Sequence, residues 1–310
     1  MKIREIIQEH IIQEHILQER ISLTSYLPTI QNTILGALNK TATEYAGNHP
    51  SVLPQNPAFD EIISAMRVFS EGLAPAITPL LVDCLTKLVK QMTNFDVKVE
   101  ITELNKGVGG SYIPWTNTLK LTSEWPARIG SGYFWAIAAP KRKIDILKKG
   151  IGSLAGVIIH ESTHVIQTNG GARVHEKSMI YNKDAVDAEL ATIEPNKKKQ
   201  SALLKATGST RNQINLMVAM RNLTDPKNVA IYKAQPEEIT AFAHEFISKE
   251  LATMVNQPVD IQKQFINNSL RELSTQAKGH QYSNMADYTK VYRRFLKAVY
   301  LELISYSESL

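Results

Sequence analysis

The sequence predicts an α+β fold that is predominantly helical, with a small antiparallel or mixed sheet. Three observations carry this expectation. The stretches 97–102 and 118–122 alternate apolar and polar residues, as half-buried strands do. From about residue 150 onward nearly every segment has helical periodicity. A few strands followed by many helices points to segregated layers, not to alternating βαβ units.

The elements follow in chain order. Residues 6–20 read Ile-Ile-Gln-Glu-His, Ile-Ile-Gln-Glu-His, Ile-Leu-Gln-Glu-Arg, a near-perfect five-residue repeat. Five residues turn a helix by about 140° beyond a full circle, so the apolar pairs spiral around it. Two readings stay open: an N-terminal helix packed on its own domain, or an arm for docking or oligomerisation. Adjacent Glu and His side chains diverge on a helix, so the Glu-His pairs are not read as a metal site. Residues 21–50 read as helical and then polar. Pro50, Pro54 and Pro57 mark a linker or long loop at 47–58. Helical periodicity returns from Asp60 to Phe69 and from Thr78 to Met92, with Pro79 near a helix start.

The character changes near residue 93. Val97 to Thr102 reads as a strand, glycines follow at 107, 109 and 110, and Thr118 to Thr122 alternates again, which suggests a β-hairpin or small meander. Tyr133 to Ile137 is read as one more short strand. Helices are expected at 152–168, 185–193, 211–221, 236–254, 262–278 and 285–305. The chain thus divides into a helical N-terminal region (1–93), a central unit (94–255) and a C-terminal helical extension (256–310).

Composition bounds the function without choosing it. The chain has 310 residues, 43% hydrophobic and 21% charged, which excludes wholesale disorder and allows one large domain or two ordinary ones. A lone Cys84 excludes an internal disulfide framework and favours a reducing compartment. The early Glu and His residues do not read as a signal peptide. No run approaches the ~18 apolar residues of a membrane span, so the expectation is a cytoplasmic or virion protein with no membrane partner. The net charge of +5 is modest. Its basic clusters (Lys141-Arg142-Lys143, Lys148-Lys149, Lys197-Lys198-Lys199) read as solvated faces, because no nucleic-acid motif accompanies them.

One motif carries chemistry. His160-Glu161-Ser162-Thr163-His164 is an H-E-x-x-H inside the apolar helical stretch Val157 to Ile166. Two His at i and i+4 share one helix face, so both imidazoles can reach one zinc ion. Glu161, one residue on, is placed to act as general base at the metal's open position. A catalytic zinc usually takes a third protein ligand. Glu238 is favoured, because Pro236 starts a helix that sets Glu237 and Glu238 in its first turn. Small Ala241 and Ala243 would let that helix approach closely. Glu189, 25 residues beyond His164 (189 − 164), is the runner-up, and His175 and His244 are further candidates. Taken alone, Glu237 and Glu238 would read as acids complementing the helix dipole.

His160-Glu161-x-x-His164 with the distant Pro236-x-Glu238-Ile239-x-Ala241-x-Ala243 resembles the gluzincin class of zinc metallopeptidases, most of all small phage and bacterial metallopeptidase-like domains. The resemblance spans about residues 95–255. It implies zinc bound by His160, His164 and Glu238, with Glu161 as base. Thr163 departs from it, standing where many relatives carry an apolar residue. No motif identifies the oxyanion donor. Tyr232 is chosen over Tyr181, His175 and His244. The implied activity is hydrolysis of a peptide or protein, the substrate lying extended against an edge strand. The hairpin at 112–122 is either that edge or an ordinary core hairpin. A rival class is a structural or assembly protein, such as a phage virion component, that carries a zincin-like domain and assembles as a homo-oligomer or with virion partners. The repeat helix and the helices flanking the central unit motivate it.

Overall fold

The computed structural model describes residues 23–48, 59–138, 140–169, 183–193, 218–219, 225–276 and 289–310. The repeat at 6–20, nearly all of the loop expected at 47–58, most of the helix expected at 211–221, Lys197 to Lys199, His175 and Tyr181 lie outside these residues.

The fold is α+β, mostly helical, with one three-stranded mixed sheet. A 3-10 turn (Leu23–Tyr26) leads into α1 (Leu27–Asn48), which buries Leu27, Ile30, Ile34 and Leu38 at the spacing of one helix face. Helix α2 (Phe59–Thr93) is a single helix where the sequence suggested two. Pro75 and Pro79 lie inside it, but both point to solvent. Their missing N–H groups fall on the outer side, while the inner stripe Phe69, Leu73, Ile77, Leu81 and Leu85 packs without a gap. Core packing thus overrides the two breakers. The stretch Glu61–Thr93 is also long and apolar enough, by length and composition, to cross a membrane. A search for unbroken apolar runs misses it because Glu71 and Asp83 interrupt the pattern.

The sheet holds β1 (Lys98–Thr102), β2 (Gly110–Ile113) and β3 (Thr118–Thr122) in the order β1-β3-β2. The β2–β3 pair is the expected hairpin, but there is no meander. Strand β1 pairs parallel to β3, placing Val99 opposite Leu119 and Ile101 opposite Leu121. This leaves β2 on an edge.

Residues 133–137 are not a strand. They belong to α3 (Glu124–Ala138), where Trp125, Ile129 and Phe134 are buried and Phe134 meets Phe69 at 5.7 Å between ring centroids. Aromatic residues favour strands only weakly, and packing against α2 decides the matter. Helix α4 (Pro140–Asn169) starts at a proline and continues through Gly150 to Gly152. Helices α5 (Lys183–Ile193), α6 (Pro226–Lys233), α7 (Pro236–Leu251), α8 (Val259–Gln276) and α9 (Thr289–Ser309) follow. A single hydrophobic core reaches from Leu23 to Tyr306, so the first and last described helices share it with the sheet and α4.

Two faces of α4 explain its place in the fold. Gly152, Gly156, His160 and His164 recur every fourth residue and form one stripe toward α7. A Cβ on Gly152 would collide with Ala252 Cβ, and one on Gly156 would stand 3.2 Å from the Glu245 backbone oxygen. The glycines therefore let the two helices approach at one end of the stripe, and the histidines occupy the other. Val157 and Glu161, about 100° around the helix, face β2 instead. There a Cβ on Gly110 would lie 2.6 Å from Val157 Cγ1 and 3.1 Å from Glu161 Cγ.

Candidate metal centre

His160 and His164 meet Glu238 between α4 and α7. Pro236 occupies the first turn of α7, as expected of a helix start, and Glu238 follows in that turn. The three distances are close to one another. His160 Nε2 lies 3.2 Å from His164 Nε2, His164 Nε2 lies 3.4 Å from Glu238 Oε1, and His160 Nε2 lies 3.6 Å from Glu238 Oε2. Ligands about 2.1 Å from a tetrahedral metal stand ~3.4 Å apart, so these spacings are those of three ligands around one ion. Among the described residues this is the group of His, Cys, Asp and Glu side chains that could hold a metal.

The outer contacts of the two imidazoles decide which nitrogens face inward. His164 Nδ1 lies 2.9 Å from Gln167 Oε1 and can only donate to it. His160 Nδ1 lies 3.2 Å from Glu245 Oε2, an ion-pair contact outside hydrogen-bond alignment. Both Nδ1 atoms thus face acceptor oxygens on the outside, and both Nε2 atoms turn inward. The interior of the cluster then holds two ring nitrogens and a carboxylate. Glu238 Oε2 is fully buried without a hydrogen-bond partner. A buried carboxylate beside two ring nitrogens 3.2 Å apart needs neutralising positive charge, either protons or a metal.

The electrostatics say the same. Burial alone would lower the pKa of His160, but its contacts with Glu238 and Glu245 and the nearby Glu161 outweigh burial and raise it to about 10. Burial likewise opposes His164, and Glu238 raises it nonetheless. Burial resists ionisation of Glu238, yet His164 and His160 hold its carboxyl well below the usual range. The cluster is a trap for positive charge.

Glu161 is 6% exposed. Burial pushes its pKa up, against the pull of His160, His164 and a hydrogen bond from the Tyr112 backbone N–H. Because Tyr112 is on β2, the outer strand of the sheet lies directly against this carboxylate. Phe242 closes another side, its ring 4.7 Å from that of His160.

The remaining candidates lie elsewhere. Glu189 is half-buried on α5, outside the cluster. Tyr232 is half-buried on α6, just ahead of α7. His244 is on α7 but bonds Thr163 and Glu302, not the cluster. Ala241 and Ala243 are buried, and on the α4 side Gly152 and Gly156 make close contacts.

Sequence reasoning missed Glu245 and Gln167. Both had a periodic signal: Glu245 is two turns beyond Glu238 on α7, and Gln167 is three residues beyond His164 on α4. Glu245 is fixed in turn by Lys249 at 2.5 Å, and its carboxyl is lowered to about 2 because the contacts with His160 and Lys249 outweigh burial. No family model, curated protein or solved structure matches the chain.

Proposed function

We propose that the protein is a zinc-dependent, zincin-like metallopeptidase in which His160, His164 and Glu238 bind the metal and Glu161 is the general base. The observation that carries this reading is the inward-facing set of two Nε2 atoms and one carboxylate oxygen without a hydrogen-bond partner, with a second carboxylate, Glu161, beside them. A zinc ion in such a set supplies Lewis acidity and brings the pKa of a bound water toward about 7. Two imidazoles and a carboxylate leave a fourth position open, the pattern of a catalytic zinc site.

Glu161 suits the base role because burial keeps its carboxylate basic. It would take the proton of the attacking water as oxygen adds to the peptide carbonyl. It would return that proton to the amide nitrogen as the C–N bond breaks. Glu245 and Gln167 hold the two rings so that Nε2 faces the site. Tyr232 is assigned the oxyanion-donor role by its position just ahead of α7. The substrate would lie extended along β2, the edge strand against Glu161.

Glu161→Gln tests this reading. The variant should keep its zinc and lose hydrolysis of a peptide library by at least about 100-fold, within the range of general-base contributions. Hydrolysis at the wild-type rate would refute the role of Glu161.

A second reading has its own observation. His160, Glu161 and Glu238 are all under 9% exposed, as in a metal clasp that holds an assembly protein together. That reading predicts that zinc raises thermal stability equally in the wild type and in Glu161→Gln, with no hydrolysis by either.

A further inference from the structure

A second buried polar chain runs beside the metal cluster and takes no part in it. Thr163 Oγ1 lies 2.8 Å from His244 Nδ1, and His244 Nε2 lies 3.2 Å from Glu302 Oε2. Glu302 Oε1 in turn accepts a hydrogen bond from Thr24 Oγ1 at 2.6 Å. These four residues come from α4, α7, α9 and the N-terminal 3-10 turn, and Thr24 and Thr163 are buried. Thr163 is the one position where the H-E-x-x-H helix departs from the apolar residue that the resemblance leads one to expect. A hydroxyl there inside an apolar contact needs partners, and it has the Ile159 carbonyl and His244.

The location of Thr163 makes the chain matter for the metal. It stands next to His164 and three residues after His160, about 60° around the helix from the His160 direction. Its hydroxyl donates to the Ile159 carbonyl at 2.9 Å and accepts from His244 Nδ1, so the anchor grips backbone as well as side chain. A rotation of α4 by about 10° would move an imidazole tip by roughly 1 Å, beyond what a preorganised ligand set tolerates. Gly152 and Gly156 offer no side chain to resist such a rotation on the α7 side. The hydroxyl–imidazole–carboxylate chain supplies the resistance, and its far end is on α9.

We propose that Thr163, His244 and Glu302 are positioning residues for the metal ligands, so that the C-terminal helix helps set metal affinity. This rests on the metal-binding reading of His160, His164 and Glu238.

The test is cobalt(II) binding by the full chain, followed by its visible spectrum, which reports ligand geometry. Thr163→Val keeps the β-branched shape and removes the hydroxyl; Thr163→Ser keeps the hydroxyl. Thr163→Val should bind cobalt about tenfold more weakly with a shifted spectrum, and Thr163→Ser should restore both. Glu302→Gln should move affinity and spectrum in the same direction, and it carries the test if far-ultraviolet circular dichroism shows Thr163→Val unfolded. Affinity within about twofold of wild type and an unchanged spectrum in these variants would overturn the proposal. So would a Thr163→Ser variant as weak as Thr163→Val, because packing and not the hydroxyl would then be the cause. Wild-type protein that takes up no cobalt would remove the metal reading and this inference with it.

Discussion

Helices α4 and α7 are joined by two buried polar clusters that differ in one respect. In the Thr163–His244–Glu302–Thr24 cluster the contacts run in a line, each His244 nitrogen and each Glu302 oxygen meeting its own partner. In the His160–His164–Glu238 cluster the outer nitrogens face Gln167 and Glu245, while both Nε2 atoms and the Glu238 carboxylate converge on one point. Both clusters contain histidine and glutamate at similar depth. Residue type and burial therefore do not distinguish a candidate metal site from a structural link. The convergence of the inner atoms on one point does.

The largest effect that would break this comparison is at the ligands. His164→Ala or Glu238→Ala should abolish stoichiometric metal uptake, whereas His244→Ala should leave uptake measurable and only weaken it. Equal loss in all three would mean that the two clusters are one site. Elemental analysis of dialysed protein checks this.

Next in size are the outer contacts. Glu245→Gln should weaken metal binding about 10- to 100-fold by removing the carboxylate behind His160. The ligand set itself stays intact, so saturating zinc should restore full occupancy.

The glycines come third. Gly150 and Gly152 are both in α4, but a side chain at Gly150 meets nothing within 4 Å while one at Gly152 meets Ala252. Gly150→Ala should stabilise by about 0.5–1 kcal/mol through helix propensity. Gly152→Ala should destabilise by about 1–3 kcal/mol through overpacking and weaken metal binding with it. Denaturant unfolding gives both signs, and a stabilising Gly152→Ala would mean that the helices do not meet there.

The smallest effect is a pH dependence. In metal-free protein the His160 pKa is raised from 6.5 to about 10. Its contribution to stability is complete below pH ~6.5 and is lost as pH rises through about 10. Metal requires the unprotonated ring, so uptake at pH 7 should release protons and affinity should rise with pH toward 10. Calorimetry in buffers of different ionisation enthalpy measures the release. Glu245 runs the other way. Lowered to about 2, it stabilises the fold above its unfolded pKa near 4.5, and that stability disappears as pH falls through 2.

Much of the site was readable because its signals are local. His160, Glu161 and His164 lie within one helical turn and a bit, and Pro236 announces the helix that brings Glu238 up beside them. The sheet was readable from alternation at 97–102 and 118–122. What escaped depends on partners far away in the chain. Thr163 and His244 are 81 residues apart, and His244 and Glu302 are 58 apart. No spacing rule links them. The helical state of 133–137 and the continuity of α2 through Pro75 and Pro79 likewise follow from packing between elements, which outweighs local preference. The parallel pairing of β1 with β3 is a choice of topology that alternation cannot express.

The central claim is that His160, His164 and Glu238 hold a metal ion. Metal analysis of protein purified under mild conditions tests it most directly, with wild type and His160→Ala compared. About one equivalent of zinc in the wild type and well under half an equivalent in the variant is the expected result. Less than half an equivalent in the wild type, unchanged by His160→Ala, would contradict it.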